Sequence, residues 1–242
     1  MSNIDVRFSL KNTVKCNIIR NKRSWKKINI LEKIIDAIFP PVCAICGELN
    51  KEYLCEKCKN TLAQISKVAV ERYSNKNFIN HIYMFKYKEL VREKLIEYKF
   101  NNKPYYYKTF AKILINNKKM YDILKTYDII IPVPLNNIRK RQRGYNQTEL
   151  IAKELAKNFE NLEYIDMLIK TKNTVPQSTL NKQQRQKNLE NAYKLKKNTC
   201  INNKNILLFD DIYTTGTTVN ECAKILKTLG RNKISVLSIA KD

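Results

Sequence analysis

Residues able to do chemistry concentrate in three places. The first is Ile206-Leu-Leu-Phe-Asp-Asp-Ile-Tyr-Thr-Thr-Gly-Thr-Thr218, followed by an apolar-periodic stretch from Val219. An apolar strand, a pair of acids and a small hydroxyl-rich loop opening a helix together make an anion site. The helix N-terminus presents unpaired N–H groups and the positive end of its dipole. Thr214, Thr215, Thr217 and Thr218 add hydroxyls, and Gly216 lets the backbone close around a phosphate. Asp210 and Asp211 fall at the carboxyl end of the strand, where ligands bind in open α/β sheets. Adjacent carboxylates repel unless donors reach them, and the two hydroxyls of a ribose diol are such donors. The bland alternative is a strand-turn-helix capped by Thr and Asp.

The second place is Cys43-Ala-Ile-Cys46 and Cys55-Glu-Lys-Cys58, two CxxC pairs eight residues apart. Four thiolates are what a closed tetrahedral zinc site needs, and they leave no position for a catalytic water, so the metal is read as structural. The third is Ile130-Ile-Pro-Val-Pro-Leu135 followed by Asn137-Ile-Arg-Lys-Arg-Gln-Arg-Gly-Tyr-Asn-Gln147, a strand and a basic loop. Arg139, Lys140, Arg141 and Arg143 are dense in Arg in a chain that otherwise prefers Lys. The guanidinium fork suits a pyrophosphate or a nucleic-acid backbone equally.

The stretch 206–218 resembles the PRPP (5-phosphoribosyl-1-pyrophosphate) signature of type I phosphoribosyltransferases over all 13 positions. The resemblance implies that Asp210 and Asp211 hold the ribose hydroxyls, that Tyr213 to Thr218 cradle the 5′-phosphate, and that Mg²⁺ accompanies PRPP. The order of blocks narrows it further. The four-Cys knot, the PVP…RGYNQ block, Thr174-Val-Pro-Gln-Ser-Thr-Leu180 with Arg185 and Asn188, and the phosphate loop are together similar to the ComF family of competence-associated proteins, from about residue 31 onward. By that resemblance Pro134, Leu135, Arg139, Arg143, Gln177 and Arg185 approach the ligand, and Lys99 falls in a family-like block without an assigned role. The implied reaction is displacement of pyrophosphate from PRPP at ribosyl C1. The implied partners are PRPP, single-stranded DNA and proteins of the DNA-uptake machinery. Rival readings are a non-catalytic single-strand binder that takes PRPP only as a ligand, and a nucleobase salvage transferase. No residue presents itself as a general base.

These residues need elements to hold them. Strands are expected over Asp128–Val133, Tyr164–Lys170, Asn205–Phe209 and Lys233–Ala240, alternating with helices over Asn146–Asn158 and Thr217–Leu229, the latter capped by Gly230. Upstream, helices are expected over Trp25–Phe39, Tyr87–Phe100 and from Tyr106 to Asn116. The fold expected is α/β: a type I phosphoribosyltransferase-like parallel sheet flanked by helices, residues 66–242. A helix and zinc-ribbon-like module, residues 24–65, precede it, after a basic extension, residues 1–23, expected to be poorly ordered. With little chain left after the last strand, cover for the ribosyl carbon is expected from residues 30–125. Of the remaining candidates, His81 reads as a surface or half-buried polar residue rather than a catalyst. The aromatics Tyr83, Phe85 and Tyr87 read as strand alternation rather than a base-stacking surface, and Cys222 as core.

Composition sets the bounds. The chain has 242 residues, 43% of them apolar, enough for a core of ordinary size. Its net charge is +24, which suits a polyanionic partner, although Lys, Asn and Ile are abundant throughout and part of the charge follows from that bias. No apolar run is long enough for a membrane helix, and the first twenty residues lack an apolar signal segment. Seven Cys, four in CxxC pairs, favour metal thiolates in a reducing, cytoplasmic setting. Four Gly, at 47, 144, 216 and 230, cannot build a Walker A or GxGxxG loop.

Overall fold

A computed structural model describes residues 37–38, 40–172, 189–196 and 200–242. Most of the expected helix Trp25–Phe39, and Gln177, Arg185 and Asn188, lie outside the described residues. The sheet contains β1 (Ala69–Arg72), β2 (Asn80–Lys86), β3 (Ile129–Pro132), β4 (Glu163–Tyr164), β7 (Asn205–Tyr213) and β8 (Lys233–Lys241). Their order is β1-β2-β8-β7-β3-β4. All neighbours run parallel except β1, which pairs antiparallel with β2 at one edge. A separate antiparallel ribbon joins β5 (Leu168–Lys170) to β6 (Tyr193–Leu195). The architecture is therefore α/β, a mixed and mostly parallel sheet flanked by helices.

The central strands read as unbroken apolar runs because both of their faces are covered. Alternate residues sort into two layers. Ile130, Leu207, Phe209, Leu237 and Ile239 face α2 (Glu89–Phe100), α3 (Tyr106–Asn116), α4 (Lys118–Leu124) and α6 (Gln147–Ala156). Ile129, Ile131, Ile206, Leu208, Ile234 and Val236 face α7 (Thr217–Leu226) and the β5–β6 ribbon, with Cys222 fully buried among them.

Several expected elements differ in extent, each for a local reason. Strand β7 runs four residues past Phe209 because β8 offers parallel partners as far as Lys241, and so the acid pair lies within the strand. The expected strand Tyr164–Lys170 divides: β4 pairs with β3, and β5 turns away to pair with β6. The basic loop is a helix, α5 (Asn137–Arg143), started by the Asn136 side chain accepting from Ile138 N–H at 2.8 Å and stopped by Gly144 at φ +83°. Helix α7 ends at Leu226 and tightens into a 3₁₀ turn over Lys227–Leu229 before Gly230. Strands β1 and β2, for which no boundaries were expected, owe their place to β8: β2 fills its free side, and β1 adds to β2 as the edge.

The four-Cys segment folds against α3. Cys43 carbonyl accepts from Gly47 N–H at 2.8 Å, a turn that Gly47 makes at φ +80°. Cys58 lies on α1 (Glu56–Ile65), just after Cys55. The four sulfurs lie within 4.8 Å of one another, a thiolate set that fits one structural zinc. Thr109 on α3, fully buried, accepts from Ala44 N–H at 3.2 Å and donates to Tyr53 carbonyl at 2.5 Å. Lys112 pairs with Glu52 at 2.9 Å, and Lys108 lies 4.3 Å above the Tyr53 ring. Protein purified without chelator is expected to carry one zinc per chain. Cys55→Ser is expected to lose it and to melt about 10 °C lower, measured by metal analysis and thermal denaturation. Zinc-free wild type with unchanged melting would contradict this.

Candidate functional site

The sheet places the acid pair in the carboxyl-terminal half of β7, between β3 and β8, where Asp210 lies beside Ser238 in the parallel register. Asp211 is 3% exposed. Lys99, near the end of α2, reaches its Oδ1 at 2.9 Å. Asp211 Oδ2 is buried without a hydrogen-bond partner among the described residues. Asp210 Oδ1 accepts from the Asp211 N–H at 2.9 Å. Burial, and then the Asp211 carboxylate beside it, push the Asp210 carboxyl up to about 7, against the pull of Lys99. Asp211 thus has one oxygen committed to protein and one available, and Asp210 has committed one oxygen to the backbone.

The loop after β7 is short. Gly216 at φ +73° turns the chain into α7, and its carbonyl accepts from Asn220 N–H at 2.9 Å. Thr215 and Thr217 hydroxyls lie 2.8 Å apart. Asp210, Tyr213, Thr214, Gly216, Thr217 and Thr218 line a recess of about 60 Å³. Tyr213 supports this recess from below: a Cβ on Gly216 would lie 2.2 Å from the Tyr213 hydroxyl. Its ring stacks on His81 at 3.8 Å between centroids and 21° between planes. His81 is fully buried, not at the surface or half-buried as its setting in the sequence suggested, because β2 is covered on both faces. Its Nε2 lies 2.8 Å from Ser238 Oγ, whose own proton goes to Ala240 carbonyl, so Nε2 carries hydrogen. Burial lowers His81 to about 3, so the imidazole is neutral and acts as packing.

The cations come from three elements. Lys99 is on α2. Arg143, at the end of α5, donates from Nη1 to Gln147 Oε1, lies 5.3 Å from the Phe100 ring centroid and sits in the field of Asp211. Lys170, on β5, is half-buried, with its Nζ 5.5 Å from the Tyr193 ring centroid. Burial, with the Arg139 charge nearby, lowers Lys170 to about 8, while Asp210 opposes that shift. Pro134 and Leu135 are half-buried just past β3, and Arg141 is exposed. Val133 carbonyl accepts from Thr148 Oγ1 at 2.7 Å, which fixes the loop to the start of α6. Sequence reasoning missed Lys170 and Tyr193: one more Lys in a Lys-rich chain carries no mark, and only the β5–β6 ribbon brings the two together. It singled out Lys99 without a role, and the ion pair to Asp211 supplies one. Of the stretch 30–125, α2 is the part seen reaching the acids, and the zinc-binding segment lies on α3.

Comparison with known proteins places this arrangement. Residues 34–77 match the double zinc ribbon domain. The chain is 31% identical over 206 residues to competence protein F of Haemophilus influenzae, covering 83% of this chain and 85% of that protein. It belongs to the ComF family. Competence protein ComFC of Streptococcus pneumoniae is 32% identical over 163 residues, 67% of this chain and 69% of its own length. DNA utilization protein YhgH of Escherichia coli is 30% identical over 118 residues, about half of each chain. For this ComF-family chain the zinc ribbon match and the four clustered sulfurs agree on a structural zinc. No helix among the described residues is long and apolar enough to cross a membrane.

Two outcomes follow from the geometry. A folded-state pKa raised from 3.8 to about 7 means that the native state holds a proton the unfolded chain has released, so stability falls as pH rises from about 4 to about 7. Asp210→Asn removes that cost. It is expected to raise the melting temperature at pH 8 by several degrees, on the order of a few kcal/mol, and by less at pH 5. An equal effect at both pH values would refute the assignment. Gly216→Ala combines the positive φ with the approach to Tyr213, and is expected to destabilise the fold by roughly 1–3 kcal/mol in denaturant titration.

Proposed function

We propose that this chain is a PRPP-binding, phosphoribosyltransferase-like protein of the ComF type that serves DNA uptake. The observation that carries the reading is one strand, β7, delivering a buried acid pair with Asp211 Oδ2 unpaired and, three residues on, a Gly-turned hydroxyl loop at the start of α7. A pentose phosphate has that pattern, a vicinal diol at one end and an anion at the other. On this reading Asp210 and Asp211 accept from the ribose hydroxyls. Lys99 orients Asp211, and Thr214 to Thr218 with Tyr213 behind them hold the 5′-phosphate. Arg139 and Arg143, with the loop at Pro134 and Leu135, face the pyrophosphate, and Gln177 and Arg185 join them. Mg²⁺ arriving with PRPP would supply further neutralisation of the leaving group. Turnover would be displacement of pyrophosphate from C1 by an acceptor, with positioning and cationic stabilisation of the departing charge as the protein's contribution.

The names of the relatives support a setting in competence and DNA use. The net charge of +24, with Lys140 and Arg141 exposed on α5, favours a second reading in which single-stranded DNA is bound without turnover. Calorimetric titration of zinc-replete protein with PRPP and Mg²⁺ is expected to show micromolar binding. Binding should be lost in the Asp210→Asn, Asp211→Asn double variant and weakened roughly tenfold in Lys99→Met, with cooperative unfolding showing that each variant is folded. No binding by wild type would remove the PRPP reading. Neutralising Arg139, Arg141 and Arg143 together is expected to flatten the salt dependence of single-strand binding. Unchanged DNA affinity would show that α5 is not the DNA site.

A further inference from the structure

One turn of the chain touches both ends of the Gly216 loop. Residues 73–79 connect β1 to β2, and Tyr73 N–H donates to Ile79 carbonyl at 2.9 Å across the turn. At one end, the Tyr73 ring centroid lies 6.4 Å from that of Tyr213, and buried Phe78 meets the Tyr213 ring edge-on at 6.4 Å and 87°. Tyr73 and Phe78 meet each other edge-on at 5.3 Å. At the other end, Asn77 N–H donates to Asn220 Oδ1 at 2.8 Å, and Asn77 Nδ2 reaches the same oxygen at 3.3 Å. Asn220 lies in the first turn of α7, and its own N–H donates to Gly216 carbonyl. Residues 214–219, between these two holds, are the hydroxyl-rich loop and the helix start.

The turn is itself anchored. Glu71 on β1 accepts from the Tyr73 hydroxyl at 2.7 Å and from the Tyr83 hydroxyl at 3.0 Å. Lys241, the last residue of β8, reaches both Glu71 oxygens, at 2.6 and 2.7 Å. Against the opposing effect of burial, these bonds hold the Glu71 carboxyl down at about 2, so it is ionised and both phenols donate to it. Edge strand β1 is thereby tied to β8, the strand beside β7. The Gly216 backbone rests on the Tyr213 ring so closely that a Cβ would lie 2.2 Å from its hydroxyl, so the ring's place sets the loop's place. A loop that takes an anion through its N–H groups binds best when they already converge, because ordering them on binding costs affinity. We infer that Tyr73 and Asn77 are positioning residues for the anion recess, and that the β1–β2 turn is a brace that keeps the Gly216 loop in its binding shape. The inference rests on the PRPP reading for what the recess holds. It goes beyond that reading by giving a role to a turn that carries no recognised motif.

The full-length, zinc-replete chain and its variants Tyr73→Leu, Tyr73→Phe and Asn77→Ala would be titrated with ribose 5-phosphate and, separately, with pyrophosphate and Mg²⁺. On the PRPP reading the first probe takes the Gly216 recess and the second takes Arg139 and Arg143. Amide hydrogen exchange would be followed over residues 214–219 of each protein, and cooperative unfolding would show which variants are folded. Tyr73→Leu and Asn77→Ala are expected to weaken ribose 5-phosphate binding about tenfold, to leave pyrophosphate binding within about twofold, and to speed exchange over 214–219. Tyr73→Phe keeps the ring against Tyr213 and is expected to stay within about threefold of wild type for both probes. A turn that only stabilised the fold would lower both affinities together or neither. Should Tyr73→Leu fail to fold, Asn77→Ala decides alone. Equal ribose 5-phosphate affinity in the folded variants, an equal loss of both probes, or unchanged exchange over 214–219 would overturn the brace and leave the PRPP reading standing. Wild type that binds neither ribose 5-phosphate nor PRPP would instead remove that reading, and the positioning role with it.

Discussion

The ion pair between Lys99 and Asp211 governs much of what surrounds it. Two carboxylates on successive residues of a covered strand repel each other, and burying a charge without a partner costs far more than leaving it in water. Lys99 at 2.9 Å makes Asp211 tenable at 3% exposure. Among the described residues Asp210 has no such cation at contact distance, and burial with the Asp211 charge beside it raises its proton affinity. The pair is therefore asymmetric: one member has a lysine at contact distance, the other is poised between forms near neutral pH. Among the described residues one oxygen of Asp211 is buried without a partner, a cost that a hydroxyl-bearing ligand would relieve.

That dependence extends outward through packing. Lys99 is aimed by α2, and α2 is fixed by Tyr98, whose ring lies 5.4 Å from Phe110 on α3 and 5.6 Å from Tyr145. Next to Phe110 on α3, Thr109 is the buried hydroxyl gripped by Ala44 and Tyr53 of the cysteine-rich segment. Glu97, Lys103 and Tyr106 tie the end of α2 to the start of α3 a second time, with contacts of 2.8 to 3.0 Å. A structural zinc thus stands two helices away from the carboxylate that Lys99 orients. The cysteine-rich segment has little apolar material of its own, and the metal supplies the rigidity that its contacts with α3 require.

What could be read from the sequence follows from how local each signal is. The parallel core strands, the CxxC pairs and the Asp-Asp-to-Gly216 loop depend on neighbours in the chain, and their residue types announce them. The helical character of residues 137–143 was hidden because its start depends on one Asn136 side-chain bond and its charges do not alternate with apolar residues. The end of β7 was hidden for a different reason: Asp210 and Asp211 are poor strand formers, and only the length of β8 beside them keeps them extended. The site's other participants are long-range. Lys99 and Lys170 come from segments 71 residues apart, and nothing in either segment points to the other. His81 shows the converse, a residue whose type suggests chemistry while its burial and its partner Ser238 make it structural.

Charge balance connects the site to the chain as a whole. Four cations, Lys99, Arg139, Arg143 and Lys170, gather around two carboxylates, one of which titrates near 7. Burial is the main cause of the depressed proton affinity of Lys170, and the nearby Arg139 charge adds to it. Such a cluster gains most from a ligand that brings several negative charges at once, because each added anion relieves repulsion as well as forming contacts. The exposed Lys and Arg elsewhere act over the Debye length and are screened by salt, so they raise encounter rates without choosing a ligand. On the proposed reading selection belongs to the buried groups: the recess at Gly216 would fix where an anion sits, the acid pair where donors must be, and the spacing along β7 and its loop the distance between them.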